Sequence, residues 1–274
     1  FSPQTAPARL TNLAEKTLLI AEHRIDNLIV ANFDNDFRNL SAHDFAKMLV
    51  KLNVKHLVLG DDFRFGHDRT GDSEFLRAFG LPVQILHTVT DHAHQDERVS
   101  STRIRDCLQQ GDLATAKHLL GRDYAITGMV EHGDKIGRTL DFPTANIALN
   151  RIKPALHGIF AVSVTATDGT DLSTLGKNTQ TGVQGLTKGS LFGACNVGTR
   201  PALKNKYGVE WRLEVNFPKF DGDLYGRELT VTFLHFLHGE INYPSLDALK
   251  QGIAQDVVDL LDWREQQAFA KSVP

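Results

Sequence analysis

One glycine-rich stretch has residue types that could bind the phosphates of a nucleotide. Gly128–Ile147 contains Gly133 and Gly137, interleaved with Lys135 and Arg138. Glycines let the backbone approach a ligand closely and present its N–H groups to an anion. The lysine and the arginine add positive charge where phosphates would lie.

The same stretch ends in residues suited to a hard cation. Thr144 and Asn146 belong to the run Phe142-Pro-Thr-Ala-Asn146, and both offer side-chain oxygens of the kind that Mg²⁺ accepts. The alternative is a glycine-rich hairpin followed by a turn that proline fixes. The pattern therefore predicts a phosphate-plus-metal site or a plain hairpin.

A carboxylate for the same chemistry could come from Glu214. This residue lies on the polar face of Trp211–Phe217, where apolar and polar residues alternate as in a half-buried strand. Most carboxylates on such a face are simply solvated. Phosphoryl transfer to a hydroxyl, however, needs a carboxylate that orients the nucleophile and accepts its proton.

A second candidate site lies in the first half of the chain. Asp61, Phe63 and Phe65 belong to the loop Gly60–Gly66, which directly follows a predicted strand. In doubly wound sheets, ligands bind at the carboxyl ends of the strands. The alternative is a turn in which both rings return to the core.

A basic helix start follows this loop. Arg98 precedes Ser101 and Thr102, whose hydroxyls and backbone N–H groups at the start of a predicted helix suit an anion. The alternative is an ordinary serine N-cap with basic neighbours.

Composition restricts the class of protein. The 274 residues are 41% hydrophobic and 23% charged, with a net charge of −3. These values are typical of a globular protein with a sizeable core and argue against nucleic-acid binding. The two cysteines lack the spacing of a zinc site or a disulfide framework, and no apolar run is long enough to span a bilayer. We therefore expect a cytoplasmic protein.

The elements that must position these residues fall into two patterns. Strands predicted at 25–33, 54–59 and 83–89 alternate with helices, which favours a doubly wound parallel sheet. From Tyr124 onward, strands follow one another, a long loop occupies 168–189, and an amphipathic helix covers 245–269. This second pattern predicts a small β-barrel packed against a terminal helix. The predicted domains are 1–123 and 124–274.

Several motifs in this order resemble the bacterial bifunctional riboflavin kinase/FMN adenylyltransferase (FAD synthetase) family. The resemblance runs from Ala6-Pro-Ala-Arg-Leu10 almost to the C-terminus. Its motifs are Gly60–Gly66, Ser100-Ser-Thr-Arg-Ile-Arg105, Leu119-Leu-Gly-Arg122, Phe142–Asn146, Asn196-Val-Gly-Thr-Arg-Pro201 and Asp223-Leu-Tyr-Gly226. The family's His-x-Gly-His and Pro-His-Pro motifs are not in the sequence, so we expect a chain that lacks the first N-terminal segment and adenylylates FMN poorly.

The resemblance implies two ATP-dependent reactions and a role for each candidate residue. Residues 124–274 would phosphorylate riboflavin to FMN, with Glu214 as the catalytic base and with Thr144 and Asn146 on Mg²⁺. The loop that covers the ATP phosphates would contain Gly133, Lys135, Gly137 and Arg138. A nucleotidylyltransferase-like first domain would convert FMN and ATP to FAD and pyrophosphate. There Arg98, Ser101 and Thr102 would bind ATP, and Asp61, Phe63 and Phe65 would bind the flavin.

Two departures from the family pattern leave other functions open. Asp141 replaces a glycine, and His238-Gly-Glu240 stands where the family usually has Arg-Asp-Glu. The alternatives are a kinase whose first domain is a remnant, and a flavin-binding or regulatory protein without turnover.

Overall fold

A computed structural model describes residues 6–92, 96–133, 141–178, 188–201 and 209–272. Its contacts define two compact units. One combines the N-terminal segment up to Leu19 with the chain from Ser100 onward, and the other is Ile20–Val99. The barrel's unit therefore starts earlier in the sequence than residue 124, and the division at 123/124 stays a prediction.

The secondary structure comprises seven helices and twelve strands within these described ranges. The helices are α1 (Leu13–Glu22), α2 (Asn35–Arg38), α3 (Ala42–Lys51), α4 (Ser73–Ala78), α5 (Ser101–Gln109), α6 (Leu113–Leu120) and α7 (Leu246–Ser272). The strands are β1 (Leu57–Gly60), β2 (Val83–Leu86), β3 (Thr90–Asp91), β4 (Glu97–Arg98), β5 (Ala125–Glu131), β6 (Thr144–Ile147), β7 (Gly158–Ala166), β8 (Gly176–Asn178), β9 (Leu191–Pro201), β10 (Val209–Asn216), β11 (Phe220–Gly222) and β12 (Glu228–His238).

The predicted barrel is confirmed. Six strands close in the order β10-β6-β5-β12-β7-β9, and every neighbouring pair is antiparallel. Alternate residues of each strand point inward, so Ile126, Val162, Leu213 and Val231 are almost completely buried in one core. Each such side chain contributes about 1.5–3 kcal/mol through removal from water.

Helix α7 covers part of the outer face of this barrel. Leu260 is fully buried, and with Ala161 and Phe192 it forms a second apolar cluster against which Trp263 packs. The helix begins one residue later than predicted and ends three residues later, a difference within the usual scatter of helix ends.

A buried ion pair fastens α1 to the barrel. Arg151 binds Glu15 through its guanidinium, and the two side chains are 0% and 7% exposed. The Glu15 carboxylate also accepts hydrogen bonds from the backbone N–H groups of Thr127 and Asn12, each at 2.8 Å. Because every partner is supplied, the buried charge is compensated.

The second unit contains the predicted parallel sheet, as the pair β1–β2. Two of its helices begin at side-chain caps. Ser41 accepts a hydrogen bond from the Asp44 N–H, and Asp72 accepts one from the Phe75 N–H. Strand β2 ends at Leu86, earlier than predicted, because the Thr88 N–H turns to the Asp61 carboxylate at 3.2 Å.

The strand predicted at 25–33 is wrong. This segment has no helix or strand, and its apolar side chains are exposed, including Ile29 at 76% and Val30 at 60%. A buried strand needs hydrogen-bonding neighbours, and in the described part of this unit the parallel ladder joins only β1 and β2. The apolar run alone could not show this.

The long loop predicted at 168–189 is wrong in its first half. A short 3₁₀ turn at Leu172–Thr174 is capped by Asp171, and β8 pairs with β11. Leu172 is fully buried, which anchors the turn in the core. Residues 179–187 lie outside the described ranges.

Replacing Arg151 with Met should destabilise the barrel unit by about 3 kcal/mol or more, because Glu15 would keep a buried charge without its partner. Trp211 and Trp263 both belong to this unit, so their fluorescence during urea unfolding reports its stability.

The matched control for this experiment is Lys117→Gln, which removes an exposed ion pair with Asp123 in the same unit. This substitution should lower the free energy of unfolding by less than about 1 kcal/mol. Equal effects of the two substitutions would contradict the assignment of the buried pair as a fastening point.

Candidate active site

The pairing of β6 with β10 brings the predicted kinase residues together. Asn146 lies directly opposite Glu214, and Thr144 lies opposite Asn216. Directly opposite side chains share a face of the sheet, with Cβ atoms about 4.5–5.5 Å apart. Since Leu213 points into the core, this polar face is the outside of the barrel.

On the other side of β10, strand β9 adds an amide that the sequence analysis missed. Asn196 is opposite Glu214, so Asn146, Glu214 and Asn196 form one row across three strands. The Oδ1 atoms of Asn196 and Asn216 are buried and have no hydrogen-bond partner among the described residues. Buried acceptors of this kind call for a donor or a cation.

Further contacts fix the entry to β6. The Asn216 side-chain N–H donates to the Pro143 carbonyl at 3.0 Å, which holds the turn immediately before Thr144. Gly133 lies against Asn146 so closely that a Cβ atom on it would overlap the Asn146 amide. Glycine allows this approach without displacing the amide. Lys135, Gly137 and Arg138 lie outside the described residues.

A cavity of about 400 Å³ opens beside Thr144. Tyr225 lines it and packs against His132, with ring centroids 4.0 Å apart. The other lining residues come from β5, the start of β6, the end of β10, β11 and the loop between β11 and β12: Val130, Pro143, Ala145, Phe217, Phe220, Asp221, Gly222, Asp223 and Leu224. The combination of an aromatic wall and side-chain oxygens suits a nucleotide.

The donor set fits a magnesium ion. Thr144 and Asn146 offer a hydroxyl and an amide oxygen, and Mg²⁺ characteristically combines few protein ligands with water and phosphate oxygens. The described residues contain no group of three or more His, Cys, Asp or Glu that could hold a metal. The chemistry therefore fits a cation shared with a phosphate.

Glu214 lies in the middle of this row. Its side chain is 29% exposed, and the Arg212 guanidinium lies 3.6 Å from its carboxylate and 3.7 Å from that of Glu210. Burial and the Glu214 charge raise the pKa of Cys195 well above its usual value. Cys195 therefore stays a neutral thiol and is not a nucleophile.

The predicted flavin loop of the other unit is organised by hydrogen bonds. Asp61 accepts from the Thr88 hydroxyl at 2.9 Å, and this bond lowers the pKa of Asp61. Asp62 binds Arg98 at 2.9 Å, which raises the pKa of Arg98. Phe63 stacks on Phe65 at 5.6 Å.

The two rings of this loop differ in exposure. Phe65 is only 7% exposed and belongs to the core of the unit. Phe63 is half-buried and is therefore the ring that could touch a ligand. The two binding roles remain predictions.

The predicted anion-binding residues of α5 lie at its first turn. Ser100 caps the helix by accepting from the Arg103 N–H at 3.2 Å, and Ser101 and Thr102 are its exposed first residues. They belong to the barrel's unit, whereas Arg98 belongs to the other unit. Thr102 also lines a second cavity of about 260 Å³ together with Arg105 and Lys153.

Comparison with known proteins gives the family. A riboflavin kinase model matches residues 120–263, and an FAD synthetase model matches residues 1–103. The bifunctional riboflavin kinase/FMN adenylyltransferase of Escherichia coli (strain K12) is 39% identical over 93% of this chain and 76% of that protein. The Haemophilus influenzae protein of the same name is 37% identical over 94% and 77%.

The chain belongs to the bifunctional riboflavin kinase/FMN adenylyltransferase family. Its fold also matches a solved structure titled as a macrolide-efflux protein from Streptococcus pneumoniae, with a TM-score of 0.70 and 26% identity. That match covers 96% of this chain and 78% of the other. No helix in the described ranges is long and apolar enough to cross a membrane.

Glu240, the position of His238-Gly-Glu240 that agrees with the family pattern, lies beside the site. Glu240 Oε1 and Asn196 Oδ1 both approach Gly198, at 2.7 and 3.0 Å from where a Cβ atom would stand. Two acceptor oxygens therefore converge next to the row that contains Glu214. The sequence signal was the Asn196–Pro201 motif, which the resemblance includes but to which we assigned no role.

His238 itself links β12 to α7. Its ring nitrogens lie 2.7 Å from the Gly239 carbonyl and 2.7 Å from the Asp256 carboxylate. Burial alone would lower the pKa of His238, but these two hydrogen bonds and the nearby carboxylate charges outweigh it, so the pKa is raised. Both partners accept, which favours the doubly protonated ring.

The His238 contact should therefore weaken as pH rises. A histidine whose pKa is raised on folding contributes its full stabilisation below the unfolded value of 6.5, and loses it as pH rises through the folded pKa. The melting temperature of the wild-type protein should exceed that of His238→Gln most at pH 6, and the gap should shrink toward pH 9. A gap that does not change with pH would contradict this role.

Proposed function

We propose that the barrel unit is a riboflavin kinase that transfers the γ-phosphoryl group of ATP to the terminal hydroxyl of the ribityl chain. The observation that carries the proposal is the register of β6 and β10, which sets Asn146 opposite Glu214. Side-chain oxygens that suit a cation and a carboxylate that suits a base thus share one face of the sheet, which supports the proposal. The riboflavin kinase model that matches residues 120–263 supports the substrate.

Glu214 would act on the hydroxyl that attacks. As the oxygen of the ribityl hydroxyl bonds to the γ-phosphorus, its proton passes to the Glu214 carboxylate, and the bond from phosphorus to the β–γ bridging oxygen breaks. The products are FMN and ADP. Arg212, 3.6 Å from the carboxylate, would orient Glu214 by charge attraction.

ATP would lie in the cavity beside Thr144, with its base near Tyr225 and its phosphates toward Asn146. Mg²⁺, when bound, would neutralise charge on the phosphates, and Thr144 and Asn146 are the side chains that would hold it. On the acceptor side, the converging oxygens of Asn196 and Glu240 suit the hydroxyl donors of the ribityl chain.

Replacing Glu214 with Gln should lower the rate of FMN formation by on the order of a hundredfold or more, because the amide cannot take the proton. The measurement is chromatographic separation of flavins after incubation with riboflavin, ATP and Mg²⁺. ADP binding should be largely retained, since Glu214 acts on the acceptor.

Glu210→Gln is the matched control for this substitution. It removes the other carboxylate near Arg212, on the same strand, and should leave FMN formation close to that of the wild type. A Glu214→Gln protein with unchanged activity would show that another group is the base. Absence of FMN with the wild-type protein would contradict the kinase proposal.

We infer a second activity, the transfer of AMP from ATP to FMN, for the region that the FAD synthetase model matches at residues 1–103. The ordered Asp61–Thr88 and Asp62–Arg98 contacts support it, because they fix an acidic loop and a cation at one place in the unit. Arg98 would bind the ATP phosphates.

Replacing Arg98 with Gln should reduce FAD formation from FMN and ATP, by on the order of a hundredfold, through loss of a charged phosphate contact. FMN formation from riboflavin should stay unchanged in the same variant, because the kinase residues lie in the other unit. A wild-type protein that makes FMN but never FAD would fit the lack of the His-x-Gly-His and Pro-His-Pro motifs in this sequence as well as the kinase-only alternative.

A further inference from the structure

A salt bridge joins α7 to the turn that leads into β6. The Lys250 ammonium lies 2.6 Å from the Asp141 carboxylate, across 109 residues of sequence. Asp141 is the residue that replaces the family's glycine. It is three residues before Thr144, so the contact reaches the segment that would hold the ATP phosphates.

The backbone conformation at Asp141 can be separated from the contact that its carboxylate makes. Asp141 has a φ of 68°, in the left-handed region that glycine adopts more readily than any other residue. Aspartate tolerates this region better than most side chains but still at a cost. Glycine would satisfy the turn, so the specific contribution of Asp141 is its contact with Lys250.

This contact fastens the turn at a second point. Asn216 already holds the Pro143 carbonyl from β10, and Lys250 now holds Asp141 from α7. The following part of α7 is attached to the end of β12 through Asp256 and His238. Helix α7 thus links the turn at Thr144 to the loop of Glu240.

The charges of the pair also matter. A lone carboxylate three residues from a phosphate-binding threonine would repel the phosphates. Lys250 compensates that charge. Replacing Lys250 alone with a neutral residue should therefore lower the affinity for the nucleotide more than neutralising Asp141 and Lys250 together.

We propose that Asp141 and Lys250 are positioning residues that set the affinity of the kinase site for ATP by fastening the Asp141–Thr144 turn to α7. This inference rests on the proposed kinase function. Neither residue needs to touch the reacting atoms.

The test compares variants that separate charge from backbone conformation. Asp141→Asn keeps a side chain that tolerates the left-handed region, and Asp141→Gly relaxes the backbone fully. Both remove the carboxylate. Lys250→Gln removes the ammonium, and Asp141→Asn/Lys250→Gln removes both charges while keeping a side chain that tolerates the left-handed region. Lys117→Gln breaks a comparable exposed pair elsewhere in the unit and is the control.

The readouts are the KM for ATP, kcat, and the Kd of ADP with magnesium measured by calorimetry. Each single substitution should raise KM and Kd by about twofold to fivefold while kcat changes little, since the pair is exposed. Lys250→Gln should have the largest effect, and Asp141→Asn/Lys250→Gln should recover part of the loss. The differences should shrink at high salt, because screening weakens exposed pairs.

Two results would overturn the proposal. One is an Asp141→Gly protein with wild-type KM and Kd, which would show that only the backbone conformation matters. The other is an equal effect of Lys117→Gln. Failure of the kinase proposal would give a different result from failure of this one. A protein whose ADP affinity depends on the pair but which makes no FMN would contradict the kinase function and leave the role of the pair intact.

Discussion

The chemistry of the barrel depends on the register between β6 and β10. A slip of one residue would turn Asn146 or Glu214 to the opposite face of the sheet, because side chains alternate along a strand. Leu213 and Val215 prevent this slip, since both are buried in the core and would become exposed. The apolar side of β10 therefore determines where the polar side presents its carboxylate, and the Asn216 contact with Pro143 extends the same constraint to Thr144.

The outer face of the barrel concentrates oxygen acceptors that are partly shielded from water. Asn196 and Asn216 each bury an amide oxygen, and Glu240, in the chain that leads to α7, approaches Gly198 on the same strand as Asn196. Such a surface is costly to keep free of donors or cations. Substrate hydroxyls and a hard cation are suitable partners, which explains why this region favours phosphoryl transfer to an alcohol over chemistry that needs a nucleophilic side chain.

Local sequence patterns predicted the face on which a residue lies better than they predicted which strands pair. The alternation of apolar and polar residues in β10 placed Glu214 on a polar face. The pairing partner of each strand could not be predicted from such patterns. The apolar run at 25–33 looks like a buried strand until its lack of hydrogen-bonding neighbours is known, and Asn196 becomes a site residue only through its position opposite Glu214. The Asp141–Lys250 contact spans too much sequence for any local pattern to reveal.

The buried Glu15–Arg151 pair has a consequence for the order of events during synthesis. The two residues are 136 positions apart, and Glu15 leaves the ribosome first. At the usual rates of translation it waits roughly ten seconds before Arg151 emerges. Until then the Glu15 carboxylate lacks the Arg151 guanidinium that compensates its charge in the folded unit. The first residues of the barrel unit are synthesised before the 20–99 unit. The barrel unit is nevertheless completed only after the 20–99 unit has been made, because Arg151 follows that unit in the sequence.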